Sequence, residues 1–203
     1  MRPNGFAPKL LLITFGVVIA LAASVLYGWW QVDGPGASSK GSNLPLSITQ
    51  MDFSLTDHKG NQVRPVDWIG KPMLVFFGFT YCPVICPTTL IDITGWLNEL
   101  DDDSTSIGAA FITVDPERDT PAELSEYLES FHPTIIGYTG STQAIADAAA
   151  GFRVKYKKIE SDQTYTMDHT AGVFIYDAAG RFVSMIDLHE PKENAVPKIR
   201  RAL

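Results

Sequence analysis

The sequence predicts an α/β sandwich around a mixed sheet, on three observations. Strand and helix signals alternate through residues 46–203. Two nearly all-apolar runs, Met73–Phe79 and Ile107–Val114, read as central strands covered on both faces. The chain closes with a hairpin and a helix, so the expected order is β-β-β-α-β-α-β-α-β-β-β-α.

The first segment is of another kind. Leu10–Trp30 contains no charged residue. At about 1.5 Å rise per residue it is long enough to cross a hydrocarbon core of roughly 30 Å. Arg2 and Lys9 precede it and Asp33 follows, which puts the N-terminus on the cytoplasmic side. Tyr27, Trp29 and Trp30 fall where an aromatic belt would lie. Ala20-Leu21-Ala22 resembles a signal cleavage site, but the apolar run exceeds the usual core of about 7–15 residues and continues past that tripeptide. Residues 1–30 are therefore expected to be an uncleaved single-pass membrane anchor. Gln31–Pro45, rich in Gly, Ser and Pro, is the expected flexible linker, and residues 46–203 form one exported domain.

Each element of that domain has a local reason. Asp52–Val63 is expected to be a hairpin turning at Asp57-His58-Lys59-Gly60. After the first apolar strand, Pro87 fits the first position of a helix, where its missing N–H is harmless. Leu90, Ile93, Leu97 and Leu100 share a face of that helix, and the Asp101-Asp102-Asp103 run marks an exposed loop at its end. Thr120-Pro121-Ala122-Glu123 is a capping box that opens a helix with Leu124, Tyr127, Leu128 and Phe131 on its inner face. A shorter helix begins near Ser141 and buries Ile145, Ala148 and Ala149. Phe152–Ile159 alternates, with Arg153, Lys155 and Lys157 outward and Val154, Tyr156 and Ile159 inward. Gly172–Tyr176 and Phe182–Leu188 form a hairpin across Asp177-Ala178-Ala179-Gly180, and a terminal helix follows Pro191.

A formal net charge of −7 and a pI near 5.0 argue against nucleic acid as a partner. The chemistry gathers at the two cysteines of the chain, Cys82 and Cys86, at the junction of the first apolar strand and its helix. Two thiols at that spacing can close a disulfide or hold one soft metal ion. A structural disulfide is the default in an oxidising compartment, yet a bridge over so short a loop removes little chain entropy. The positive end of the helix dipole is expected to lower both thiol pKa values. Of the four histidines, His58, His132 and His189 read as surface residues. His169 lies just before an apolar strand, at a strand end where sites assemble in open α/β sheets.

Four motifs then occur in order: Thr80-Tyr81-Cys82-Pro83-Val84-Ile85-Cys86-Pro87, Val114-Asp115-Pro116-Glu117-Arg118-Asp119-Thr120-Pro121, Gly137-Tyr138-Thr139-Gly140 and Asp168-His169-Thr170. Together they resemble the SCO/SenC family of copper-binding cytochrome c oxidase assembly proteins, over about Met51–Leu203 and including the N-terminal anchor. The resemblance implies a thioredoxin-like fold with a mixed central sheet flanked by helices. It implies a copper site of Cys82, Cys86 and His169, taking Cu(I) or Cu(II). It implies a metallochaperone that helps to build the dinuclear copper centre of cytochrome c oxidase subunit II, supplied by another copper chaperone or a thiol reductase. Many members carry an aspartate between the cysteines, where this chain has Val84 and Ile85.

The donor types agree, since thiolates suit cuprous ion and imidazole suits either oxidation state. A structural zinc site would need a fourth protein ligand. Met167 could approach as a weak further ligand, although a Met beside a strand more often packs. The Asp115–Asp119 loop reads as turn and helix cap, or as a neighbour of the copper site, without being a ligand. The alternative function is a thiol–disulfide oxidoreductase reducing the cysteines of the oxidase subunit or of other exported proteins. A conventional enzyme is not expected, and this thiol–disulfide exchange is the activity that would make it one. A peroxiredoxin-type peroxidase is suggested only by Phe79-Thr80-Tyr81-Cys82-Pro83, with Thr80 one residue too close to the cysteine. With no Arg/Ser-rich transit peptide, the expected location is a bacterial inner membrane with the C-terminal domain in the periplasm.

Overall fold

The structure, a computed structural model, describes residues 7–32, 44–100, 107–160 and 164–203. The expected linker falls largely outside the described residues, as does the acidic Asp101–Asp103 run. Two compact units, Met1–Asn43 and Leu44–Leu203, divide the chain. The described part of the first is one helix, α1 (Ala7–Val32). Its segment Leu12–Trp30 has a mean hydropathy of 2.0 and buries nothing within the structure, so it is long and apolar enough to cross a membrane.

The second unit is a mixed seven-stranded sheet with a separate two-stranded ribbon. Its strands are β1 (Leu55–Asp57), β2 (Gln62–Val63), β3 (Met73–Gly78), β4 (Gly108–Thr113), β5 (Ile135–Thr139), β6 (Tyr156–Glu160), β7 (Tyr165–His169), β8 (Val173–Tyr176) and β9 (Phe182–Ile186). Helices α2 (Ile85–Glu99), α3 (Pro121–Leu128), α4 (Thr142–Gly151) and α5 (Lys192–Arg200) complete it. The sheet order is β2-β1-β5-β4-β3-β8-β9, with β3, β4 and β5 parallel and the flanking strands antiparallel. Every residue of β3 is buried, as its apolar run requires of a strand between β4 and β8. Phe53, Trp68, Phe77, Phe152, Phe174 and Tyr176 form an aromatic core behind it, with ring centroids 5.3–6.3 Å apart.

The β1–β2 and β8–β9 hairpins turn where expected, at Gly60 (φ 89°) and Gly180 (φ 75°), where the left-handed backbone favours glycine. Thr120 and Ser141 cap α3 and α4 through their hydroxyls. Three expectations are corrected. Helix α2 starts at Ile85 with Val84 as N-cap, so Pro87 is its third residue, whose N–H would also lack an intrahelical acceptor. The stretch 152–159 is not one strand: Arg153 turns at φ 58° after α4, and only Tyr156–Glu160 is extended. Strict alternation then puts Lys158, not Ile159, on the face of Tyr156, and Ile159 is exposed. The third correction is β7 itself. It was not expected as a strand and pairs with β6 alone, so His169, besides preceding β8 as expected, also ends a strand of the ribbon.

Candidate metal centre

The site begins where β3 ends. Beyond Gly78 the chain turns through Phe79–Val84, and α2 starts at Ile85. Cys82 lies in this turn and is half-buried, whereas Cys86 is in the first turn of α2 and fully buried. Both are free thiols. The N-cap Val84 has no side-chain acceptor to offer the first helical amides. The Cys82 sulfur takes part of that role, accepting the N–H of Cys86 at 3.3 Å. Gly78 makes room for the second sulfur. A Cβ there would lie 2.8 Å from Cys86 Sγ and 2.6 Å from a ring carbon of Phe111.

The expected lowering of both thiol pKa values is corrected at Cys86. Burial pushes that thiol well above its usual range, with smaller raising contributions from Cys82 and Asp119. Removal of the sulfur from water is the largest cause, against the Phe79 backbone hydrogen bond, which lowers the pKa. Cys86 is therefore held as a neutral thiol until a cation or an electrophile replaces its proton.

His169 approaches from the ribbon. Its Nε2 stands 3.7 Å from Cys86 Sγ, and its ring meets Phe79 and Phe76 edge-on at centroid distances of 6.0 and 6.4 Å. Its Nδ1 lies 3.0 Å from the carbonyl oxygen of Thr170. A carbonyl only accepts, so Nδ1 carries the proton and Nε2 presents its lone pair to the thiol. Burial also holds the imidazole below its ordinary pKa, which favours the neutral, ligating form.

Two of the three sequence-expected donors, Cys86 and His169, are thus in contact, and Cys82 is one backbone hydrogen bond away. Among the described residues no three His, Cys, Asp or Glu side chains already form a metal cage. The donor set nonetheless fits a soft ion, with two sulfurs and one bare imidazole nitrogen. Met167 is half-buried on the same ribbon face as His169, two residues away, and packs against the core. The other histidines lie elsewhere in the fold. His189 is exposed, whereas His58 and His132 are half-buried and hydrogen-bonded to backbone, so reading those two as surface residues overstated their exposure.

Residues 115–119 contribute more than a helix cap. Asp119 is fully buried and accepts from Thr80 N (3.0 Å), Thr80 Oγ1 (2.6 Å) and Thr113 Oγ1 (2.6 Å). It thereby pins the turn that carries Cys82. Burial raises its pKa against those hydrogen bonds. Asp115 accepts from Arg118 and, at 2.9 Å, from the Tyr165 hydroxyl. The sequence signal was the motif itself; nothing local showed that it faces both the turn and the ribbon.

Comparison with known proteins agrees with this geometry. The SCO1/SenC family model matches residues 42–203. A mouse protein, SCO2 homolog, mitochondrial, is 38% identical over 159 residues, covering 76% of this chain and 62% of its own length. A SCO2-like protein of Rickettsia conorii is 40% identical over 146 residues, covering 70% and 71%. The chain thus spans about three-fifths of the mouse relative. The copper-bound structure of Bradyrhizobium japonicum ScoI superposes with a TM-score of 0.70 at 44% identity, covering 75% of this chain and 98% of that one. The domain has the thioredoxin-like fold that the motifs implied.

Proposed function

The chain belongs to the SCO1/SenC family, and from that premise we propose that it is a membrane-anchored copper metallochaperone that helps to assemble the dinuclear copper centre of cytochrome c oxidase. Copper is its cargo, held by Cys82, Cys86 and His169. The observation that carries this reading is the contact between a protonated Cys86 sulfur and an unprotonated His169 Nε2, with the Cys82 sulfur beside them. Loading releases the thiol protons and draws the three donors onto one ion. Half-exposed Cys82 is the donor an acceptor protein can reach first, so transfer proceeds by exchanging ligands from that side. Subunit II of the oxidase is the proposed acceptor, and another copper chaperone the proposed donor.

Residues 10–30 anchor the protein in a bacterial inner membrane, residues 31–45 are the tether, and residues 46–203 work in the periplasm. The uncharged run Leu10–Trp30 of α1, with Arg2 and Lys9 ahead of it, supports this topology.

A second reading is supported by the unequal exposure of the two thiols. In it, the Cys82 thiolate attacks a disulfide of the oxidase subunit, giving a mixed disulfide and one released thiolate. Cys86, losing its proton, then attacks Cys82, releasing the second substrate thiolate and leaving a Cys82–Cys86 disulfide. Two electrons pass to the substrate, and a separate thiol reductase restores the pair.

Anaerobic titration of the reduced full chain in detergent with cuprous ion tests the main reading, with one tightly held ion per chain expected. Absence of tight binding would remove it. Complementation of a strain lacking the gene then tests whether oxidase acquires its copper.

A further inference from the structure

Arg118 belongs to the motif that the copper site leaves unexplained. Its guanidinium carbon lies 3.8 Å from the ring centroid of Tyr165 and 4.6 Å from that of Tyr81. Nε donates to Asp115, and Nη1 donates to the Tyr165 carbonyl at 3.2 Å. Nη2 is buried without a hydrogen-bond partner, and the side chain is only 18% exposed. A desolvated donor left unmatched is unfavourable, so hydrogen bonding alone does not explain the pose. Contact of the planar cation with two aromatic rings does.

The two rings belong to the two halves of the site. Tyr81 immediately precedes Cys82. Tyr165 begins β7, the strand that His169 ends, and alternation puts Tyr165, Met167 and His169 on one face of the ribbon. That face meets the cysteine segment twice: His169 at Cys86, and Tyr165, through Arg118, at Tyr81. The same loop reinforces both halves. Asp119 holds Thr80, while Glu117 pairs with Lys158 of β6 at 2.8 Å and Asp115 holds the Tyr165 hydroxyl. The base of the ribbon is fixed separately: β6 leaves the end of α4, where Val154 N donates to the Ala149 carbonyl at 2.8 Å, and β7 runs on into β8. With its base held there, the ribbon meets the cysteine turn at its other end through Tyr165 and Arg118.

We propose that Arg118 is a positioning residue for the copper site: it spaces the ribbon from the cysteine turn and so fixes the reach of His169 toward Cys86 and Cys82. This rests on the reading of His169 as a ligand. It predicts a selective defect. Cupric ion needs the imidazole, whereas cuprous ion accepts the two sulfurs alone.

The test is anaerobic titration of the reduced full chain in detergent with cupric and, separately, cuprous ion, following thiolate-to-copper absorption and electron paramagnetic resonance. Arg118→Lys keeps the charge but loses the planar fork. It should weaken cupric binding roughly 10- to 100-fold, as loss of a ligand's supporting partner does elsewhere, and alter the cupric spectrum. Cuprous affinity should stay within about threefold, because both thiols remain. Tyr165→Leu should reproduce the defect, Tyr165→Phe should be mild because the ring remains, and combining Arg118→Lys with Tyr165→Leu should add little. If Arg118→Lys fails to fold, the two Tyr165 variants decide. Parent-like cupric affinity and spectrum in Arg118→Lys or Tyr165→Leu, with His169→Ala defective in the same assay, would overturn the positioning role alone. Parent-like cupric binding by His169→Ala would overturn the ligand reading beneath it.

Discussion

Nε2 of His169 faces Sγ of Cys86 at 3.7 Å, although 83 residues separate them in sequence. The contact joins two independently built elements, the first turn of α2 and the end of the β6–β7 ribbon. Its orientation is fixed by the Thr170 carbonyl, which holds the proton on Nδ1.

His169→Ala is expected to separate copper handling from thiol chemistry. Cupric binding and its thiolate-to-copper absorption should be lost, while cuprous binding and thiol reactivity largely persist. Oxidase assembly in cells is the deciding measurement. Failure of the mutant assigns the function to copper handling through His169, and parent-level assembly assigns it to reduction.

Oxidising Cys82 and Cys86 to a disulfide should abolish tight copper binding, since a disulfide has no thiolate to donate. Equal cuprous affinity in the oxidised and reduced proteins would remove the two sulfurs from the site.

Gly78→Ala should disturb Cys86 without touching a proposed ligand. The new methyl meets both Cys86 Sγ and the Phe111 ring inside contact distance. Overpacking of this kind costs about 1–3 kcal/mol. A lowered unfolding midpoint together with weaker cuprous binding is expected. A variant matching the parent in both would show that the seat of Cys86 is looser than the structure has it.

Stability should fall as pH drops below about 6.5, in part through His58. Its Nδ1 accepts the Gly137 N–H at 3.0 Å, so a proton there breaks a bond between the β1–β2 turn and β5. Burial, then the charge of Lys59, hold its pKa below 6.5 against the opposing Asp57. Between the folded value and 6.5 the unfolded chain binds more protons, so this stability is complete above that window and is lost as pH falls through it. His58→Asn, whose side-chain oxygen can still accept, should flatten the dependence in melts at about pH 5.5 and 7.5. His169, shifted in the same direction, leaves a residual slope. An unaltered slope in His58→Asn would exclude His58 as a source.

Much of this was legible in the chain because the signals were local. The apolar run of β3, the turn residues at Gly60 and Gly180, and the caps at Thr120 and Ser141 each state their structure within a few residues. The ribbon was not legible in the same way. Its strands are short, polar and mostly exposed, with none of the burial that makes β3 obvious. The identity of the proposed donor residues came from motif resemblance, and their environment from the fold. Dipole reasoning set Cys86 low, whereas its complete burial sets it high. Arg118 and Asp119 looked like turn residues because their partners, Tyr165 and Thr80, are 47 and 39 residues away.

The two-stranded sheet that ends in His169 shares no backbone ladder with the seven-stranded one. If the protein is the copper carrier proposed above, it must relinquish what it carries, and a donor rooted in the main sheet could leave only by breaking core pairing. Here the imidazole rides on an outrigger, held at one end by its continuity with α4 and β8 and at the other by contacts among side chains. Letting go therefore requires those contacts to part while β3, β4 and β8 stay intact. Grip on the cargo and durability of the scaffold become separately adjustable, and substitutions in the outrigger can retune how long copper stays without endangering the fold.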